Sequence, residues 1–123
     1  MRYKVIARLK DQKRMDLKRA IENETLGKGS AAGGEYLRNM RSARVMDDNT
    51  VVWVEVCFCT PPLAEERIYW EEFFELLSID DALERMMCKH ETKVSLWSCM
   101  GCDCAHPVES FIASLGRSFL AYL

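Results

Sequence analysis

Cysteine and histidine, the side chains best suited to metal or redox chemistry, are concentrated in the second half of this sequence. All six cysteines and both histidines fall within residues 57–106. The densest run has the spacing Cys-x2-Cys-x-Cys-x-His and consists of Cys99, Cys102, Cys104 and His106. Thiolate and imidazole ligands suit zinc, and four thiolates suit either zinc or an iron–sulfur cluster. This spacing differs from the standard finger, ribbon and ferredoxin patterns, so the residue types indicate a site without specifying its metal.

Hydrophobic periodicity predicts the elements that would position these residues. Tyr3, Val5, Ala7 and Leu9 alternate with Lys4, Ile6 and Arg8 and predict a first strand. Asp11 is the expected N-cap of a helix through Glu22. A flexible glycine-rich loop is expected over residues 25–34, followed by a short helix with Tyr36, Leu37 and Met40 facing inward. Residues 43–59 predict a hairpin with a turn at Asp47–Thr50. Its long second strand is expected to place Val52, Val54, Val56 and Phe58 on the core face, and Trp53, Glu55, Cys57 and Cys59 on the outward face.

The remaining pattern predicts two more helical regions, a last strand and a C-terminal helix. Thr60 is the expected N-cap of a helix that begins at Pro61 and runs through Leu77. A capping box at Ser78 is expected to start a second helix, through Met87. Residues 93–99 predict the last strand, and a helix is expected from Pro107 through Tyr122. This order predicts one α+β domain over residues 1–123, a ferredoxin-like antiparallel sheet (βαββαβ) with an additional C-terminal helix.

That topology gathers most of the cysteines at one end of the sheet. The third and fourth strands of such a fold run in the same direction, so the residues that follow them lie at the same end. The predicted metal ligands are therefore Cys57, Cys59, Cys99, Cys102, Cys104 and His106. Cys88 and His90 precede the last predicted strand and are expected at the opposite end.

Two other interpretations of the cysteines stay open. Cys99 and Cys102 have the Cys-x-x-Cys spacing of thiol-redox proteins, although the next helix begins only at Pro107. Alternatively, the protein is a non-catalytic interaction or structural protein whose cysteines are simply packed. In that case a homodimer through the outward sheet face would bury Trp53, Trp97 and the cysteines together.

Composition excludes several other classes of function. The net charge is −2, yet residues 1–46 carry twelve basic and five acidic side chains, while the remainder carries five basic and fourteen acidic ones. Nucleic-acid binding is not expected, because the outward sheet face carries Glu55 and lacks interleaved aromatic and basic residues. Gly27–Ser30 lacks the phosphate-loop spacing, and no catalytic constellation of side chains is apparent. We expect a cytoplasmic protein, because no apolar run approaches the ~20 residues of a membrane span and no signal peptide is recognisable.

Overall fold

The computed structural model describes residues 2–30, 33–57, 59–81 and 112–123. The strands in these ranges are β1 (Arg2–Leu9), β2 (Arg44–Val45), β3 (Thr50–Val56), β4 (Phe74–Asp81) and β5 (Arg117–Ser118). The helices are α1 (Arg14–Glu22), α2 (Gly33–Ser42), α3 (Arg67–Phe73) and α4 (Phe119–Tyr122). The strands form one antiparallel sheet in the order β4-β1-β3-β2-β5, so the described part of the chain has an α+β architecture.

The core lies on one face of this sheet, and the helices pack against that face. Along β1 every second residue is buried, at Tyr3, Val5, Ala7 and Leu9, so the predicted alternation of the first strand is confirmed. Each of these helices contributes at least one buried side chain to the same cluster. These side chains are Leu17, Tyr36, Met40, Trp70, Phe73 and Phe119. The inward orientation expected for Tyr36 and Met40 is therefore confirmed, and Leu37 is partly buried against the cluster.

The face assignment predicted for the third strand is wrong. Trp53, Glu55 and Cys57 are buried, whereas Val54 and Val56 are only half-buried. Of the other two residues predicted on the core face, Val52 is buried, and Phe58 lies outside the described residues. The register decides the matter, because Val5 pairs with Trp53 and directly paired residues lie on the same face of a sheet. Both faces of β3 carry apolar residues, so the sequence pattern of this strand alone did not show which face meets the core.

The predicted helices over residues 61–77 and 78–87 are also partly wrong. Helix α3 begins at Arg67 and ends at Phe73, and Phe74–Asp81 is a strand that pairs antiparallel with β1 along its whole length. A bulge opposite Ile6 and Ala7 leaves Leu77 unpaired and partly exposed. Short apolar runs fit a helix or a strand equally well by periodicity, and pairing with the free edge of β1 selects the strand. Residues 82–87 of the second predicted helix and the expected last strand at residues 93–99 lie outside the described residues.

The C-terminal segment does not form the single helix that its periodicity predicts. Residues 114–116 are turn and bend, β5 follows and pairs with β2, and α4 begins only at Phe119. Gly116 makes this arrangement possible because its φ of +46° disfavours other residues. A Cβ atom at this position would also lie 1.9 Å from the carbonyl oxygen of Val45. The apolar residues of this segment are therefore buried in separate places: Phe119 belongs to the core cluster, whereas Ile112 is buried outside it, beside Val54 and Val56.

Two smaller differences concern the first half of the chain. Asp11 belongs to a 3-10 turn, and α1 begins at Arg14 with no side-chain cap. Gly33 and Gly34 belong to α2, while hydrogen-bonded turns occupy residues 25–30 of the expected glycine-rich loop. The hairpin of β2 and β3 is confirmed. Among the described residues, no helix combines the length and the apolar character that crossing a bilayer requires.

Candidate metal centre

Two of the predicted ligands, Cys57 and Cys59, lie at the end of β3 where the chain leaves the sheet. Cys57 follows the last residue of the strand and is 2% exposed, and Cys59 is half-buried. The backbone N–H of Cys59 donates a hydrogen bond to the Cys57 sulfur over 3.1 Å. Cys57 therefore does not have the outward orientation that the sequence predicts, and both thiols are placed where the core meets the following loop.

The loop after Cys59 folds back on itself and brings a third candidate ligand to the thiols. Residues 60–66 form turns rather than the expected start of a helix, and Leu63 adopts a φ of +61° with its side chain fully buried. The Arg67 N–H donates to the Leu63 carbonyl over 2.8 Å, which links these turns to α3. Glu66 stands directly before α3, yet its side chain does not cap the helix and is 5% exposed.

The carboxylate of Glu66 lies between the two thiols. The Cys57 Sγ and Cys59 Sγ atoms are 3.3 Å and 3.5 Å from the same oxygen, Glu66 Oε2, so both thiols donate hydrogen bonds to it. One ligand atom from each of the three residues lies within 4.8 Å of the other two. Cys57, Cys59 and Glu66 are thus close enough together to bind a metal ion. We refer to them as the Cys57/Cys59/Glu66 cluster.

Burial keeps the Cys57 thiol protonated when no metal is bound. Loss of hydration raises the pKa of this thiol from 9.0 to about 12, against the opposing effect of the backbone N–H groups of Cys59 and Leu63. The hydrogen bonds that the Cys57 thiol makes with the Cys59 side chain and with Glu66 also favour its protonated form. A metal ion at this cluster must therefore displace the thiol proton, as thiolate ligation generally requires.

A second buried carboxylate, that of Glu55, lies two residues before Cys57. The indole N–H of Trp53 donates to Glu55 Oε2 over 3.0 Å, and that of Trp70 donates to both carboxylate oxygens over 2.9 and 3.0 Å. Burial raises the pKa of Glu55 from 4.5 to about 7, although the two indole hydrogen bonds oppose this rise. The carboxylate of Glu66 contributes to it by charge repulsion.

The structure brings together only part of the site that the sequence predicts. Cys57 and Cys59 are adjacent as expected, whereas Cys99, Cys102, Cys104 and His106 lie outside the described residues, as do Cys88, His90 and Trp97. Trp53, one half of the predicted dimer surface, is fully buried in the core, so its indole is not on the surface. Self-association and redox chemistry at Cys99 and Cys102 stay predictions.

Sequence reasoning missed Glu66, because a helix that begins at Pro61 would carry this residue away from Cys57 and Cys59. One feature of the sequence is compatible with the observed position of Glu66. The two prolines after Cys59 suit the start of a helix, but they also suit a turn that returns the chain to the cysteines. Comparison of this chain with protein-family models, curated proteins and solved structures found no match. The function therefore has to be argued from the geometry of this site.

Proposed function

We propose that this protein binds a zinc ion through Cys57, Cys59 and Glu66. The observation that supports this best is the position of one buried carboxylate oxygen beside two thiol sulfurs, at 3.3 and 3.5 Å. A tetrahedral zinc ion with Zn–S bonds of about 2.3 Å and Zn–O bonds of about 2.1 Å holds sulfur and oxygen ligands roughly 3.6 Å apart. The two sulfur–oxygen distances are thus close to those that zinc would impose.

The charges of the cluster support a cation there. Glu66 is buried, yet its carboxylate makes no ion pair with a lysine or arginine among the described residues, and its polar contacts are the two thiols. A buried carboxylate ordinarily needs a cation or several hydrogen bonds to offset lost hydration. Two thiolates and a carboxylate carry three negative charges, of which Zn²⁺ offsets two.

Zinc fits this donor set better than an iron–sulfur cluster does. Iron–sulfur clusters are held chiefly by cysteine thiolates, whereas zinc accepts sulfur, nitrogen and carboxylate oxygen ligands in one site. The carboxylate of Glu66 therefore favours the first of the two metals that the sequence predicts.

The fourth ligand in this proposal comes from Cys99, Cys102, Cys104 or His106. The chain that carries them continues from Asp81, which pairs with Tyr3 across the sheet, and Tyr3 also pairs with Glu55. That chain thus starts at the end of the sheet where Cys57 lies.

Metal titration of the purified chain tests the proposal. Protein without a histidine tag is prepared under reducing conditions, freed of metal with a chelator and titrated with Zn²⁺ by calorimetry and with Co²⁺ by absorption. We expect one ion per chain and thiolate-to-cobalt charge-transfer absorption. Loss of a residue that only orients a metal ligand costs about 10–100-fold in affinity, and we expect Cys57→Ser, Cys59→Ser or Glu66→Gln to cost at least as much.

Two control variants separate this result from a general loss of structure or charge. Cys88→Ser removes a cysteine that the sequence places away from the site, and Glu72→Gln removes an exposed carboxylate from α3. Both are expected to retain the affinity of the wild type. Less than half an ion per chain, or wild-type affinity in Cys57→Ser and Glu66→Gln, would show that the cluster is only a packed group of side chains.

We also propose that the fold is a ferredoxin-like α+β sandwich whose fourth strand is β4. In support, β3 and β4 both run antiparallel to β1, which lies between them, and α3 connects them. Residues 74–81 then take the place that the sequence predicts for residues 93–99.

A further inference from the structure

Strand β4 forms one edge of the sheet, and its outer side is unpaired. In the order β4-β1-β3-β2-β5, no other strand of the described residues lies beside it there. It is eight residues long, whereas β5 at the opposite edge has only two. The N–H and C=O groups along such an edge are a template for a further strand, and proteins usually keep edge strands short or covered. The edge of β4 is long enough to accept a partner.

The hydrogen bonds of β1 show which backbone groups of β4 point outward. The Lys10 N–H, just after β1, donates to the Phe73 carbonyl over 2.9 Å, so the backbone of Lys10 faces the side on which β4 lies. Backbone direction alternates along a strand, and Val5 therefore directs its N–H and C=O away from β4. Ile79, which pairs with Val5, consequently directs its own away from β1. The same alternation directs those of Leu76 outward, and among the described residues neither has a hydrogen-bond partner on that side.

The side chains along this edge differ between the two faces of the sheet. Leu76 and Ile79 lie on the core face but are only partly buried, and Leu77 is 43% exposed. Glu75 and Asp80 are exposed on the opposite face, and neither forms an ion pair within the part of the chain that the structure describes. Residues 71–80 contain four acidic side chains and no basic one. An added strand would therefore cover apolar surface on one face and meet negative charge on the other.

Strand β1 already shows what kind of strand suits β4. It places Lys4 opposite Asp80 and Arg8 opposite Glu75, while every second residue of β1 is an apolar side chain buried in the core. Opposite charges that face each other across a strand pair are stabilising. A strand on the outer side of β4 would lie beside the same β4 side chains, so it should combine basic residues on one face with apolar residues on the other.

A second copy of β4 is a poor match for this edge. Two β4 strands paired antiparallel about the midpoint between Leu77 and Ser78 place Glu75 opposite Asp80, and like charges directly opposite each other are destabilising. The repulsion acts twice in such a pair, because the pair is symmetric. The charge of the edge therefore selects a different, basic partner.

We propose that the edge of β4 binds an extended segment of a partner protein in which lysine or arginine alternates with apolar residues. The segment adds a strand to the sheet by pairing with the backbone of Leu76 and Ile79. Its apolar side chains cover those two residues, and its basic side chains lie beside Glu75 and Asp80. None of these residues belongs to the Cys57/Cys59/Glu66 cluster, so this binding does not depend on a metal ion.

A synthetic peptide of the required pattern, acetyl-Lys-Val-Lys-Val-Lys-Val-Lys-amide, tests the site in the full chain. We expect saturable one-to-one binding by calorimetry. Hydrogen exchange measured by NMR locates the peptide, because the outward amide of Ile79 should exchange about tenfold more slowly when about nine-tenths of the protein is bound. The Asp80 amide faces β1 and is the internal control, whose exchange rate should not change.

Two further peptides separate strand addition from attraction between charges. The first carries glutamate in place of lysine and should not bind, since it meets Glu75 and Asp80 with like charge. The second keeps the lysines but is methylated at every amide nitrogen, so it has no backbone donor for the edge and should not bind either. Equal binding of either peptide, or absence of binding by the lysine peptide, would overturn the proposal.

The variant Glu75→Gln tests the charge of the edge. The side chain is exposed, and neutralising it is expected to weaken binding of the lysine peptide about threefold. Its matched control, Glu22→Gln, removes an exposed carboxylate from α1 and should bind as the wild type does. Wild-type affinity in Glu75→Gln would contradict the proposal. Protection of the Ile79 amide in concentrated protein without peptide, together with a dimer in sedimentation, would identify a second copy of the chain as the occupant and overturn it.

Discussion

Trp70 and Glu55 are joined by a buried hydrogen bond in which the indole N–H lies 2.9 Å from Oε2 and 3.0 Å from Oε1 of the carboxylate. The indole of Trp53 donates to the same Oε2 atom over 3.0 Å. These two donors allow a carboxylate to lie in an aromatic cluster where the rings of Trp53 and Trp70 are 5.0 Å apart. The stability of the protein should therefore depend on the ionisation of Glu55 and on the two indole donors.

Replacing Glu55 with Gln should stabilise the protein at neutral and higher pH. Burial raises the pKa of Glu55 from 4.5 to about 7, so the folded state holds this proton more tightly than the unfolded state does. The resulting stability is complete below pH 4.5 and is lost as the pH rises to about 7, a change of about 3 kcal/mol. Gln keeps an acceptor oxygen that both indoles can reach and does not ionise.

Urea unfolding of wild type and Glu55→Gln across this pH range checks the sign. The variant should gain on the wild type steadily as the pH rises and should reach its full advantage above the pKa of Glu55. Glu72→Gln, which alters an exposed carboxylate, should follow the wild type at every pH. Parallel curves for the wild type and Glu55→Gln would show that Glu55 is not the group responsible.

Replacing Trp70 with Phe should destabilise the protein mainly through Glu55. The change keeps an aromatic ring in the cluster but removes a donor from a buried carboxylate, which costs about 1–3 kcal/mol beyond the loss of packing. It should also raise the pKa of Glu55 further, because the indole hydrogen bond lowers that pKa. A double-mutant cycle with Glu55→Gln measures how much of the stability cost of Trp70→Phe depends on the Glu55 carboxylate. Equal costs of Trp70→Phe in both backgrounds would contradict the prediction.

Zinc affinity should fall as the pH falls. The pKa of the Cys57 thiol is raised to about 12 by burial, so this thiol is protonated at neutral pH and loses its proton when zinc binds. Each thiolate formed in the Cys57/Cys59/Glu66 cluster releases a proton, and roughly two protons per ion are expected. Calorimetry in buffers of different ionisation enthalpy counts them. An affinity that stays constant from about pH 6 to 8 would be inconsistent with thiolate ligands.

Replacing Gly116 with Ala should destabilise the protein, whereas Gly34→Ala should stabilise it. At Gly116 a Cβ atom would lie 1.9 Å from the Val45 carbonyl oxygen, and the φ of +46° disfavours other residues. Separating β5 from β2 to relieve this contact should cost at least about 2 kcal/mol. At Gly34, inside α2, a Cβ atom would meet no atom of the described residues within 4 Å, and Ala should add up to about 1 kcal/mol.

Thermal or denaturant unfolding of these two glycine variants gives the comparison directly. The same chemical change is made in both, so a difference in sign isolates the backbone geometry. Equal stabilities would indicate that the turn before β5 adjusts without cost.

Elements with local and unambiguous patterns could be predicted from the amino-acid sequence. The alternation of β1, the hairpin around Asp47–Thr50 and the inward positions of α2 follow from residues close together in the chain. The sequence also indicated that Cys57 and Cys59 belong to one site, because residues that leave the end of one strand stay near each other. These patterns could be interpreted because only one structure satisfies each of them.

Where two local structures suited the sequence equally well, contacts between distant residues selected one of them. Pairing with β1 made residues 74–81 a strand rather than part of a helix, and the pairing of Val5 with Trp53 turned Glu55 and Cys57 toward the core. The tertiary structure also decided that Glu66 faces the thiols, since that depends on turns over residues 60–66 rather than on a helix. Hydrogen bonds and packing between residues distant in the sequence select among such alternatives. A local sequence pattern does not show these contacts.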